Sequence, residues 1–189
     1  MSVKCLIYCS KAKPYLTKDY DLCGDFVKFK TTNDLTNPQS LNGLLETLNG
    51  KIVASFDCEK VEEIIATKWS VGCGLNYYEF ETKDLFSKSY LRLVDLTDYL
   101  QDKNGYAIHI SNLQVFDEPL SFDKDYIYKD YKINELIGKA PQNMCNVYDR
   151  FGNHYILISI KPEWVCKILN GEKTIEVRKS VVNALKGLI

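Results

Sequence analysis

Lys173, Glu176 and Arg178 follow directly on the helix-stopping pair Asn170-Gly171, and a carboxylate held between two cations can read a polar ligand. An arginine fork grips a phosphate or a carbonyl edge bidentately, a glutamate accepts from an exocyclic amine, and a lysine adds a point charge. A nucleotide or nucleobase is the ligand class that suits this combination. In a hydrolytic version Glu176 positions or deprotonates water, and Lys173 or Arg178 steadies the developing negative charge. The same spacing also fits an exposed Glu176–Arg178 ion pair worth under ~1 kcal/mol.

The flanking residues place these groups. Ile158 to Ile160 ends an apolar strand, and Pro162 suits the first position of a helix, where its missing N–H costs nothing. Trp164, Val165, Ile168 and Leu169 form one stripe of that helix, and Asn170-Gly171 supplies a left-handed stop. Thr174 to Lys179 then alternates as a strand. Ile175 and Val177 must face a core, so Glu176 and Arg178 leave from the opposite side, with α-carbons about 7 Å apart.

Elsewhere the pattern predicts strands at Lys4–Ser10, Lys51–Cys58, Tyr106–Ile110, Asn112–Phe116, Asn143–Tyr148 and His154–Ile160. The loop 149–153 joins the last two as a hairpin. The Asn49-Gly50 pair suits a turn, Glu59–Lys68 continues as strand, and Gly72-Cys73-Gly74 reads as loop. Two short helices fit Lys83–Phe86 and Leu93–Leu100, the second with Leu93, Leu96 and Leu100 on one side. Lys18–Asn49 is irregular, Pro119 is expected to stop the strand before it, Ser121–Tyr131 reads as surface loop, and Ile133–Ile137 fits one helical turn.

At 189 residues, 46% hydrophobic and 26% charged, the chain fits one compact α+β domain spanning 1–189. A net charge of -1 removes the broad basic field expected of a protein that grips long duplex DNA. A nucleic-acid partner is therefore small, single-stranded, or met by a local patch. The seven cysteines include no Cys-x-x-Cys pair and no histidine at ligand spacing, which argues against a structural metal or a disulfide framework and fits a reducing cytoplasm. No cofactor motif is present, and no apolar run is long enough to span a bilayer or to serve as a signal core.

Lys11 and Lys13 can extend a positive rim around the three charges, or can be solvated loop lysines. Tyr8 and Tyr106 can stack a base, although with thirteen tyrosines in the chain core or surface packing is the default role for each. His109 lies inside a strand, as a general base or as a hydrogen-bonded structural histidine. His154 reads as a hairpin rim residue and Trp164 as a core anchor.

The run Gly171, Lys173, Glu176, Arg178 resembles the Gly-x-Lys-x-x-Glu-x-Arg signature of the ASCH domain family, a branch of the PUA-like β-barrels. Val3–Ser10, Gly50–Phe56, Gly105–Ile110 and Ala140-Pro141-Gln142 resemble the pieces that normally follow it, in family order. The signature comes last instead of first, which suggests a circularly permuted mixed β-barrel with short flanking helices and neighbouring chain ends. A truncated second domain over Tyr155–Ile189, or exchange of this segment between two chains, are the other readings. The resemblance implies binding of RNA or a modified nucleoside or nucleotide in a cleft around Lys173, Glu176 and Arg178. It also allows a ribonuclease or an amidohydrolase of acylated nucleosides, with Lys173 and Glu176 as catalytic groups. Amidohydrolase relatives carry Lys-x-x-Thr where this chain has Lys173 and Glu176, so a threonine nucleophile is in doubt. A protein-interaction role, as a mobile-element accessory factor with a vestigial cleft, is the third reading.

Overall fold

The computed structural model describes residues 2–10, 48–71, 75–80, 84–101, 103–121, 126–128 and 143–189. The expectations for Lys11 and Lys13, for most of Lys18–Asn49, for Gly72-Cys73-Gly74 and for Ile133–Ile137 lie outside the described residues. The fold is α+β and mostly strand, with a few short helices. It groups into two compact units, one of residues 1–3, 58–111 and 172–189, the other of 4–57 and 112–171.

The second unit is built on a six-stranded sheet. Its strands are β1 (Val3–Cys9), β2 (Ile52–Cys58), β7 (Ser111–Leu120), β8 (Tyr126–Tyr128), β9 (Met144–Asp149) and β10 (His154–Ile160). Their order is β7-β2-β1-β10-β9-β8. β1 runs parallel to β10, with Ile7 opposite Ile158, while β9 and β10 form an antiparallel hairpin. The central strands β2, β1 and β10 are buried on both faces, which explains why they read as nearly continuous apolar runs with weak alternation. Leu6, Tyr8, Ile52, Val147 and Leu157 form one core cluster here.

Two sequence expectations fail at the edges of this sheet. Pro119 does not end its strand, because β7 is an edge strand and a missing N–H is tolerated there. Tyr126–Tyr128, expected as loop, is the opposite edge strand and pairs with β9. The helix α3 (Pro162–Leu169) begins at Pro162 as expected and stops at Gly171, whose φ of 75° is left-handed. Its buried face is Val165, Cys166 and Ile168, and Trp164 is only half-buried.

The first unit holds a three-stranded antiparallel sheet, ordered β11-β6-β3, made of β11 (Ile175–Arg178), β6 (Gly105–His109) and β3 (Val61–Ile64). A separate hairpin of β4 (Ala66–Val71) and β5 (Leu75–Phe80) accompanies it, and β5 carried no clear sequence signal. Two helices, α1 (Leu85–Ser89) and α2 (Leu93–Leu100), and a C-terminal turn α4 (Asn183–Lys186) complete the unit. Leu96 and Leu100 pack with Ile64, Phe80, Leu85, Ala107, Ile175 and Val177. Leu93 was expected on that face, but it begins α2 and stays 50% exposed. The chain end docks on this unit, where Val61 N–H donates to the Leu188 carbonyl at 3.2 Å. The mixed β-barrel expected from the resemblance is not formed: among the described residues the strands fall into three separate sheets, and none closes on itself.

Candidate functional site

The signature residues are split between the units: Gly171 ends one and Glu172 begins the stretch that belongs to the other. Lys173, Glu176 and Arg178 therefore all belong to the unit of the three-stranded sheet, on or just before its edge strand β11.

Register decides which side chains share a face. In an antiparallel ladder, directly opposed residues project from the same side. Glu176 opposes Ile108 and Arg178 opposes Tyr106, so Glu176, Arg178 and Tyr106 lie on one face. Ile175 and Val177 lie on the other, in the core with Ala107 and Ile64. The alternation read from the sequence places these groups correctly.

The exposed ion pair considered from spacing is not what forms. Glu176 Oε1 accepts the Arg178 Nη2 at 3.0 Å, Glu176 Oε2 lies 3.4 Å from the Lys173 ammonium, and the three side chains are only 9%, 11% and 2% exposed. Lys173 is the innermost. Its ammonium also donates to the Ser89 carbonyl at 2.6 Å, at the end of α1, and Thr174 N–H donates to the Lys88 carbonyl at 2.9 Å. The lysine thus ties α1 to β11 and fixes one side of the carboxylate. Burial lowers the Lys173 amine from its ordinary value, an effect that Glu176 opposes and Arg178 adds to. Tyr99 on α2 feels the same cluster: burial raises its hydroxyl, Arg178 opposes that and Glu176 reinforces it. Lys179 stacks over the Tyr99 ring, with its ammonium 5.3 Å from the centroid.

Tyr106 is half-buried beside Arg178 and can offer part of its ring. Tyr8 cannot serve as a stacking platform, because it is 2% exposed in the core of the other unit. Burial raises its hydroxyl first, and Cys9 adds to this.

One arrangement was invisible in the sequence. His109 Nε2 donates to Glu62 Oε2 at 2.7 Å, and Lys60 pairs with the other oxygen of Glu62. The Lys60 hydrogen bond above all holds the Glu62 carboxyl below its usual range; burial opposes it, and the His109 hydrogen bond adds to the lowering. Glu62 and His109 are 47 residues apart, and only the β3–β6 pairing joins them. The general-base or structural histidine of the sequence reading therefore has an acid partner, on the core-side face of the sheet rather than the face of Arg178.

Among the described residues, Cys5, Cys9, Cys58, Cys145 and Cys166 are not joined in disulfides. Burial pushes Cys9 up to about 12 and Cys58 up to about 11, so neither is a nucleophile near neutral pH. Among the described residues, no group of three or more His, Cys, Asp or Glu could hold a metal ion, and no helix is long and apolar enough to cross a membrane.

No family model matches the chain, and neither a curated protein nor a solved structure does.

Proposed function

We propose that the β11 face recognises a nucleobase, as a modified nucleoside or as an unpaired residue of RNA. The observation that carries this reading is the pairing of Glu176 with Arg178 on one nearly dry strand face, with Tyr106 directly opposite Arg178. Arg178 is the most exposed of the three charges and is the group that meets the ligand. Glu176 is held between two cations and fixes the guanidinium plane, while Lys173 braces Glu176 from inside. A rigid donor fork costs little conformational entropy on binding, and Tyr106 supplies an apolar edge.

An ASCH-type, PUA-like origin with a permuted chain order belongs to the same proposal. It is supported by the three signature charges Lys173, Glu176 and Arg178 coming together at β11, and by residues 1–3 and 172–189 falling in the same unit. β1 and β11 lie in different sheets, so the proposal does not include the family's closed barrel. A hydrolytic role at the same place gives Glu176 the part of water base. The pairing of both its oxygens with cations leaves that role less room than ligand positioning.

The burial of the cluster favours one further reading. Glu176 is paired with both cations, so in this reading the cluster is a structural tie and the cleft is vestigial, as in a protein-interaction factor. A panel of modified nucleosides and short RNAs, followed for binding and for product, separates these. The proposal expects binding that falls at least tenfold in Arg178→Lys, which keeps the charge but loses the fork. Binding equal in both proteins, or no binding by either, contradicts it. Product that persists unchanged in Glu176→Gln removes the hydrolytic role.

A further inference from the structure

The strongest feature outside the β11 face is the tip of the β9–β10 hairpin. Phe151 stands there 77% exposed, the most exposed large apolar side chain among those described. The loop that carries it is held by its own hydrogen bonds. Asp149 Oδ1 accepts the N–H groups of Phe151 and Asn153, both at 2.9 Å, and Oδ2 accepts Asn153 Nδ2 at 2.8 Å and the Tyr155 hydroxyl at 3.2 Å. Gly152 N–H donates to the Asp149 carbonyl at 3.0 Å, and its φ of 85° completes the turn. The phenyl ring is thus presented to water by a built turn.

Its surroundings have a definite chemistry. The Arg150 guanidinium lies 4.9 Å from the Phe151 centroid, over one face of the ring. The one acid of the tip, Asp149, has both oxygens engaged inside the loop, so the tip presents the Arg150 cation beside an aromatic surface. At the base of the tip, Tyr148 and His154 form a second aromatic pair, with centroids 5.1 Å apart and planes tilted by 36°. His154 Nε2 donates to Asn146 Oδ1 at 2.9 Å, which fixes that imidazole.

We infer that this hairpin tip is a stacking site for an unpaired base of a single-stranded nucleic acid, with Phe151 supplying the ring and Arg150 the phosphate contact. A planar base needs an open π-face and a cation within reach of its phosphate, and the tip holds both in one rigid turn. A bilayer anchor needs a wide apolar face with several cations, far more than one ring. The site is independent of the β11 face, so the two stand or fall separately.

Fluorescence anisotropy with labelled oligouridine and oligoadenosine decamers tests it. Phe151→Ala is expected to weaken binding about tenfold, and Phe151→Trp to retain it, because every base stacks on an aromatic surface. Arg150→Ala is expected to lower the salt dependence by about one ion. Both side chains are at the surface, and unchanged thermal midpoints of the variants confirm their folding. Equal affinity of Phe151→Ala and the parent protein overturns the inference. No binding of either decamer by the parent also overturns it, even where free nucleosides still bind through Arg178. Adhesion to phosphatidylserine vesicles that requires Phe151, without oligonucleotide binding, overturns it in favour of a membrane contact.

Discussion

Lys173→Met probes the buried cluster most sharply. The substitution keeps most of the apolar stem and deletes the ammonium, leaving the Ser89 carbonyl and Glu176 Oε2 without the partner they have at 2.6 Å and 3.4 Å. Removing one member of a buried ion pair costs about 3–5 kcal/mol, and because Glu176 keeps Arg178 the lower end applies, about 3 kcal/mol. For a chain of this size that is a fall of about 6–12 °C in thermal midpoint. Denaturant unfolding of both proteins gives the difference directly. The pH dependence adds a sign. Burial lowers the folded Lys173 pKa below its unfolded value of about 10.4, so between the two the unfolded chain binds more protons, and raising pH favours the fold. The stability margin of the parent over Lys173→Met should therefore grow as pH approaches that unfolded value. A cost below about 0.5 kcal/mol, or a margin that shrinks over this range, refutes the account of Lys173 as a buried tie.

Other outcomes follow from the same geometry. Gly105→Ala places a Cβ 2.7 Å from Leu100 Cδ2 and 3.1 Å from the Arg178 carbonyl. It should cost about 1–3 kcal/mol in denaturant unfolding, and the Leu100→Ala background should recover part of that cost. Gly171→Ala forces a left-handed φ of 75° on an L side chain and should destabilise by about 1 kcal/mol in the same assay. Mass-spectrometric mapping after alkylation at mildly alkaline pH should find Cys9 and Cys58 unmodified in the native protein and modified once it is unfolded.

Local signals were the legible ones. The Pro162 start, the Gly171 stop, the 149–153 hairpin and the alternation of β11 all rest on neighbours a few residues apart, and each appears where the residues put it. The two edges of the six-stranded sheet were not legible, because Pro119 and the tyrosine-rich 126–128 segment take their state from a position at its rim that only long-range pairing defines. The site divides in the same way. Which face carries Glu176 and Arg178 follows from period two, but Ser89 as the partner of Lys173 is 84 residues away, and Glu62 as the partner of His109 depends on strand register. Tyr8 shows the converse: a strand buried on both faces offers no polar side, so its tyrosine goes into the core.

The central claim is that Arg178 is a preformed ligand-reading fork. Following the Arg178 side-chain N–H resonances while modified nucleosides and short RNAs are titrated tests it most directly. The account predicts saturable shifts at Arg178 and Tyr106 that disappear in Arg178→Lys; resonances that stay fixed while a ligand binds elsewhere on the protein would contradict it.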